Sequence, residues 1–329
     1  MGTFSDIAAA ANDHALDLAP WAIGQRGQRC GRTLRFESRG RLSVFILGPK
    51  RGKWIDFSSG DKGDMVDLVA RMRGIDPRAA IEEIRRWLGL PEGERPVVVS
   101  AAQRAAEDAE DLARRRAKAL EIWRRAGATG AATAAYLRTR GISMVPGGWL
   151  RQGRIGGKAL AFLGEGAETL GVLDTLVFAA SDAEGKLRAV QQILVRDGHK
   201  APLKTAKLTR GDVRGAAVRM GRGETVVLCE GPETGLSLRE CTGLPVAVAL
   251  GAGLLHQVTF GTEVRSVIIA ADLGAPGLNA AERAAAAMRA RGLAVRIALP
   301  PDGAGEKADF NDVHVRLGAD AVRAAVLGT

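Results

Sequence analysis

Val226, Val227, Leu228 and Cys229 run without a polar break and end abruptly at Glu230-Gly231. A short apolar run closed by a turn predicts a strand buried on both faces, as in a parallel sheet. The pattern returns twice. Residues 267–271 are apolar and end at Asp272, and residues 295–299 lead through Pro300-Pro301-Asp302 to Lys307-Ala308-Asp309-Phe310-Asn311-Asp312. Residues 246–250 form another apolar run, closed by Gly251-Ala252-Gly253. Helical segments over 233–241 and 280–291 alternate with these strands, which predicts a Rossmann-like parallel α/β sheet over residues 223–329.

Upstream the periodicity changes. Helical spacing over 6–18 is followed by strands at 34–36, 42–47 and 54–57, and by helices at 65–72 and 77–88, the former capped by Asp64. Trp54 and Phe57 are expected inside this small α+β unit, residues 1–95. Residues 101–125 read as one Ala/Arg/Glu helix with little apolar face before Leu120, Ile122 and Trp123, giving a helical linker over 96–126. A helix at 131–140, closed by Gly141, and a hairpin of strands 170–179 and 187–195 make residues 127–222 a second α+β region.

Composition narrows the class. The 329 residues carry a net charge of +10 and a pI near 10.1, which favours a polyanionic partner. No apolar run approaches the roughly 20 residues that span a bilayer. The first residues lack a basic stretch followed by an apolar one, so no signal peptide is expected. Cys30, Cys229 and Cys241 are widely spaced, which argues for a reducing, cytoplasmic setting.

Two basic stretches stand out. Arg26, Arg29, Arg32, Arg35, Arg39, Arg41, Lys50, Arg51 and Lys53 face only Glu37 over their span, and on strands and turns they suggest a phosphate-binding face. From Arg196 to Arg222 a second group includes Lys200, Lys204, Lys207 and Arg210. Ligands of parallel sheets collect at the carboxyl ends of the strands. Glu230, Asp272 and Asp309 stand at three such ends, and hard carboxylate oxygens suit Mg²⁺, which clamps phosphates. The plainer alternative makes each acid a helix cap or turn residue. No Walker A motif and no Ser-His-Asp or Cys-His set can be placed, and His14, His199, His256 and His314 show no metal spacing.

Glu230-Gly231, then Asp272 with Gly277, then Asp309-Phe310-Asn311-Asp312 resemble the Toprim domain of bacterial primases and topoisomerases, most closely the primases of plasmids and phages. Tyr136-Leu137-Arg138-Thr139-Arg140-Gly141-Ile142 resembles the element that opens the catalytic core of bacterial primases. Residues 54–60 with Gly63-Asp64-Met65 resemble the zinc ribbon at the head of those primases, with Asp56 and Ser59 at the cysteine positions. The resemblance therefore implies a ribbon without zinc, held by its own core. It further implies that Glu230, Asp272 and Asp309 are catalytic and bind Mg²⁺ or Mn²⁺, with Asn311, Asp312 and Glu233 as weaker or outer ligands. Lys200, Lys204, Lys207 and Arg210 would hold nucleotide and template phosphates. Arg29, Arg32, Arg35, Arg41, Lys50, Arg51 and Lys53 would bind DNA.

The chain departs from the family at two places. Gly274 stands where the second Asp of Asp-x-Asp belongs, and Asn311 replaces an acid. Either another acid, Asp302 or Asp312, compensates, or the site is vestigial. The activity implied is that of a DNA primase, which makes short primers from NTPs on single-stranded DNA and relies on a separate helicase. The alternatives are a DNA-binding accessory protein with a degenerate Toprim site and a Toprim nuclease.

Overall fold

The computed structural model describes residues 3–36, 42–91, 94–97, 99–143, 147–156, 160, 167–203 and 205–328. The chain divides into two compact units, Met1–Asp111 and Leu112–Thr329, so the division falls inside the long helix α5 (Ala101–Arg125).

In the first unit β1 (Gln28–Cys30), β2 (Thr33–Phe36), β3 (Leu42–Phe45), β4 (Trp54–Asp56) and β5 (Lys62–Gly63) form an antiparallel sheet in chain order. Helices α1 (Phe4–Asp13), α2 (Ala15–Ile23), α3 (Met65–Arg73) and α4 (Pro77–Trp87) share its core through Ile7, Leu18, Met65, Leu68, Ile81 and Ile84. The helix expected over 6–18 is two helices, broken at His14, where ψ is 18°. Asp64 caps α3, accepting from Val66 N and Asp67 N while Asp67 accepts from Asp64 N.

Trp54 and Phe57 part company. Trp54 is 4% exposed and its indole N–H donates to Asp64 O at 2.8 Å. Phe57 is 60% exposed, contrary to the expectation that both are inside. The strand ends at Asp56, and the turn that follows is tied down by polar groups instead of by the Phe57 ring. Asp56 accepts from Ser58 and from Arg71, and Asp61 accepts from Ser59 and from Arg71. These bonds hold the Asp56 and Asp61 carboxyls below their ordinary range, through Ser58 and Ser59 first and Arg71 after them. Charge and hydroxyl groups thus knit the turn where the resembled ribbon has thiolates.

The second unit is built on one ten-stranded sheet. Its antiparallel part contains β6 (Leu150–Gly156), β7 (Val172–Ser181), β8 (Leu187–Arg196), β9 (His199–Lys200), β10 (Lys207–Gly211) and β11 (Ala217–Met220). Its parallel part runs β13 (Val246–Val248), β12 (Thr225–Cys229), β14 (Ser266–Ala270), β15 (Ala294–Ala298). β11 pairs with both β7 and β13, so residues 127–222 and 223–329 share a sheet across the boundary expected at 222.

Helices α6 (Ala131–Thr139), α7 (Pro232–Thr242), α9 (Phe310–Leu317) and α10 (Ala319–Leu327) contribute to the core on one face, with Val227 and Cys229. α8 (Ala275–Arg289) contributes to the other, with Val226 and Leu228. A strand alternates its side chains between faces. Both faces of β12 are covered, which is why its sequence is unbroken apolar. Among the described residues no helix is long and apolar enough to cross a membrane.

The burial contrast in the first unit is testable. Trp54→Ala should cost roughly 3–5 kcal/mol. Phe57→Ala should stay within roughly 0.5 kcal/mol. Urea unfolding of the full chain reads both, and equal losses at the two positions would contradict the structure.

Candidate active site

β12 and β14 lie side by side in parallel, Val226 beside Val267 and Leu228 beside Ile269. Both therefore deliver the chain to the same edge of the sheet. Glu230 follows β12 directly, and Asp272 stands two residues beyond β14. Asp309 arrives from the loop after β15 as the N-cap of α9. The three acids line one cavity of about 230 Å³, together with Asp312, Asn311, Glu233, Arg140, Lys200 and Lys207.

Asp272 is strongly perturbed. Its Oδ1 is buried with no hydrogen-bond partner among the described residues. Burial first, then the charges of Asp309 and Glu230, push its carboxyl up to about 7. A divalent cation would supply the missing partner and offset the crowding, and the all-oxygen donor set suits Mg²⁺ or Mn²⁺. Among the described residues, no group of three or more His, Cys, Asp or Glu side chains already forms a metal cluster.

Asp309 and Asp312 are caps as well as cavity residues. Asp309 Oδ1 accepts from Asn311 N at 2.7 Å and Asp312 N at 3.0 Å, and Asp312 Oδ2 accepts from Asp309 N. The other oxygen of Asp309 takes no part in the cap. Asp302 is exposed and does not line the cavity, so of the two compensating acids considered only Asp312 is at hand.

Two expected outer ligands have other work. Glu233 is 5% exposed, and its Oε1 accepts from Lys200 Nζ and Tyr136 Oη, each at 2.8 Å, while Oε2 accepts from Lys207 Nζ at 3.0 Å. Burial opposes ionisation of Glu233, but Lys207 and Lys200 prevail and bring its carboxyl down to about 2. Asn311 is buried, and its amide N–H₂ donates to Arg140 O at 2.8 Å and Ser237 Oγ at 2.9 Å, tying α9 to α6 and α7.

Gly274 caps α8 with φ 100° and ψ 152°, a region essentially confined to glycine. The Asp-x-Asp position is thus glycine for a backbone reason. Gly277 is needed for closeness: a Cβ there would sit 2.3 Å from Asp272 O.

The basic candidates divide. Lys200 and Lys207 reach the cavity, whereas Arg210 lies off it, on the face of β10 opposite Lys207, and donates to Thr209 O. In the first unit Arg32 pairs with Asp111 at 3.1 Å, Arg51 with Glu107 at 2.5 Å and Lys53 with Asp64 at 3.7 Å. Those partners correct the expectation of an unopposed basic face, because the acids of α5 lie too far along the sequence to be counted against it. Arg29 and Arg35 are exposed, and Lys50 Nζ lies 5.5 Å from the Phe45 ring centroid. Arg41 and Lys204 lie outside the described residues.

Arg140 and Tyr136 were not singled out as site residues. The motif Tyr136–Ile142 was the available signal, since it contains both. Arg140 lines the cavity, with its guanidinium 5.6 Å from the Tyr136 ring centroid.

A family model for the Toprim domain matches residues 225–320. The C-terminal part of the chain is a Toprim domain. A model for a domain of unknown function (DUF7146) matches residues 113–220. No curated protein matches the chain. Among solved structures, the chain is similar to the Aquifex aeolicus primase, zinc-binding and RNA polymerase domains, at 16% identity and a TM-score of 0.40, covering 98% of this chain and 85% of that one. It is similar to the primase fragment of the bacteriophage T7 primase-helicase at 16% identity and a TM-score of 0.41, covering 85% and 95%. It is also similar to a DNA primase domain from Pseudomonas aeruginosa at 17% identity and a TM-score of 0.45, covering 65% and 78%.

Two outcomes are expected from the Toprim site. Gly274→Asp should lose roughly 1–3 kcal/mol, because an Asp must occupy a glycine conformation, and should not tighten Mn²⁺ binding. A fully stable variant with tighter Mn²⁺ binding by calorimetry would contradict this. The second concerns pH. The folded Glu233 carboxyl titrates below its ordinary value of 4.5, so its pairing stabilises the fold fully above that value and is lost as pH falls toward 2. Thermal unfolding between about pH 5 and pH 2 should therefore fall more steeply for wild type than for Glu233→Gln. Parallel curves would speak against the pairing.

Proposed function

We propose that this chain is a DNA primase, which joins NTPs into short primers on a single-stranded DNA template by divalent-metal-dependent nucleotidyl transfer. The observation that carries the proposal is the cavity in which three acids at Toprim strand ends stand beside Lys200, Lys207 and Arg140. Acids alone would suit any Mg²⁺ enzyme, whereas acids faced by cations suit a polyphosphate held together with its metal.

Glu230, Asp272 and Asp309 hold the ion, with Asp312 beside them. Bound Mg²⁺ or Mn²⁺ would supply charge neutralisation of the triphosphate and a lowered pKa at the attacking 3′-hydroxyl. Lys200 and Lys207 receive the phosphates, and Lys204 is assigned with them on sequence. Arg29, Arg35 and Lys50 are the head residues best placed for template phosphates, and no structural zinc is required. Unwinding falls to a separate helicase, the setting is the cytoplasm, and the kinship is with primases of the plasmid and phage type.

A second reading has one observation in its favour. The missing carboxylate at Gly274 would also suit an accessory protein that binds DNA without catalysis. Labelled NTP incorporation on single-stranded DNA, with Mg²⁺ and Mn²⁺ titrated, separates the two. Wild type should make short products, and Glu230→Gln should abolish them while retaining single-stranded DNA binding. Absence of product from wild type at every metal concentration would overturn the primase proposal.

A further inference from the structure

We infer that Glu233 is a positioning residue. It holds Lys200 and Lys207 as a paired subsite for the polyphosphate of a nucleoside 5′-triphosphate. The inference rests on the primase proposal and extends it.

Glu233 lies in the first turn of α7, three residues after Glu230, so the strand end that presents one acid to the cavity also fixes the other. Its two oxygens face different lysines, Oε1 toward Lys200 and Oε2 toward Lys207. Lys200 closes β9 and Lys207 opens β10, and both strands pair along the same edge of β8, Lys200 beside Val195 and Lys207 beside Ile193. Both lysine side chains remain about a third exposed while that of Glu233 is buried. Each ammonium carries three N–H donors and gives one to Glu233, leaving donors for a ligand in the cavity.

The Tyr136 hydroxyl donates to the same Oε1 and fixes the carboxylate from behind. A buried carboxylate is a poor stabiliser compared with an apolar side chain of its size. Its effect here is geometric. Two flexible lysine stems are set at a fixed separation in the cavity that the acids also line. A polyphosphate carries several charged phosphate groups in a row, so it can meet both ammonium groups and the acid-held metal at the same time.

The experiment uses the full chain as wild type, Glu233→Gln, Lys207→Ala, the double variant and Tyr136→Phe. Steady-state NTP incorporation on single-stranded DNA with Mn²⁺ gives KM and kcat, and calorimetry with ATP and Mg²⁺ gives binding without turnover. Glu233→Gln should raise KM, and weaken ATP binding, by roughly ten- to a hundredfold, the worth of hydrogen bonds to a charged group. kcat should change less. Tyr136→Phe should move KM in the same direction by less, and it tests the inference if Glu233→Gln does not fold. In the Lys207→Ala background, Glu233→Gln should add less than it does in wild type, only the part that acts through Lys200.

An unchanged or lowered KM, or a fall in kcat alone, would overturn the inference, as would full additivity in the double variant. If wild type binds ATP and the variant does not, but neither incorporates NTP, the subsite stands and the primase proposal fails. If both incorporate with equal KM, the primase proposal stands and the subsite fails.

Discussion

Like charge gathered at one edge of a sheet is the constraint to which the second unit answers. Glu230, Asp272 and Asp309 line one cavity, and crowding with burial already pushes the Asp272 carboxyl to about 7. Carboxylates packed this way resist ionisation unless cations lie near. The chain meets the demand through topology. The antiparallel strands that bear Lys200 and Lys207 belong to the sheet that bears the acids, joined to it by β11. The lysines are therefore carried on hydrogen-bonded backbone. Lys200 has an ammonium whose pKa is lowered by burial and held up by Glu233. The buried carboxylate thus keeps a cation charged beside the acidic edge.

Capping and catalysis need not compete for the same acids. Asp309 closes the first turn of α9 with one oxygen, and Asp312 returns the bond. A capping box fixes the rotamers of both residues, and rigid placement is what a metal-holding acid requires. Taking the acids as caps and taking them as ligands are thus two descriptions of one arrangement. Asp272 differs, since its buried Oδ1 has no partner among the described residues. An unsatisfied buried acceptor is costly, and in a cavity lined by acids it marks where a cation would be held most strongly.

The parallel strands were legible because both of their faces are buried, which leaves an unbroken apolar run ending at an acid. β6 was not legible. Its residues, from Leu150 through Arg151, Gln152, Gly153 and Arg154, show neither an apolar run nor clean alternation, and its pairing with β7 alone makes it a strand. The acids at the strand ends could be named from sequence, but their division of labour could not. Glu233 and Lys207 are 26 residues apart, and Glu233 and Tyr136 are 97 apart. No local pattern reports such pairings. The head shows the same limit. Nine bases against one acid suggested an open basic face, yet Glu107 and Asp111 of α5 neutralise Arg51 and Arg32 from more than fifty residues away. Phe57 misled for a different reason: hydrophobicity predicts burial only where a strand or helix turns the residue inward, and the turn after Asp56 does not.

Gly274 separates a damaged site from a different one. Had the second carboxylate merely been lost, the backbone at that position would still suit an ordinary residue. Instead φ is 100° and ψ is 152°, and α8 begins directly afterwards. Gly277 then lets the first turn of α8 approach Asp272 O more closely than any side chain would permit. The two glycines serve one turn, which brings the helix against the acid that remains. A carboxylate restored there must adopt a glycine conformation, at a cost of roughly 1–3 kcal/mol. The backbone thus sets which carboxylates this turn can offer, and Glu230, Asp272, Asp309 and Asp312 share the cavity with Lys200, Lys207 and Arg140.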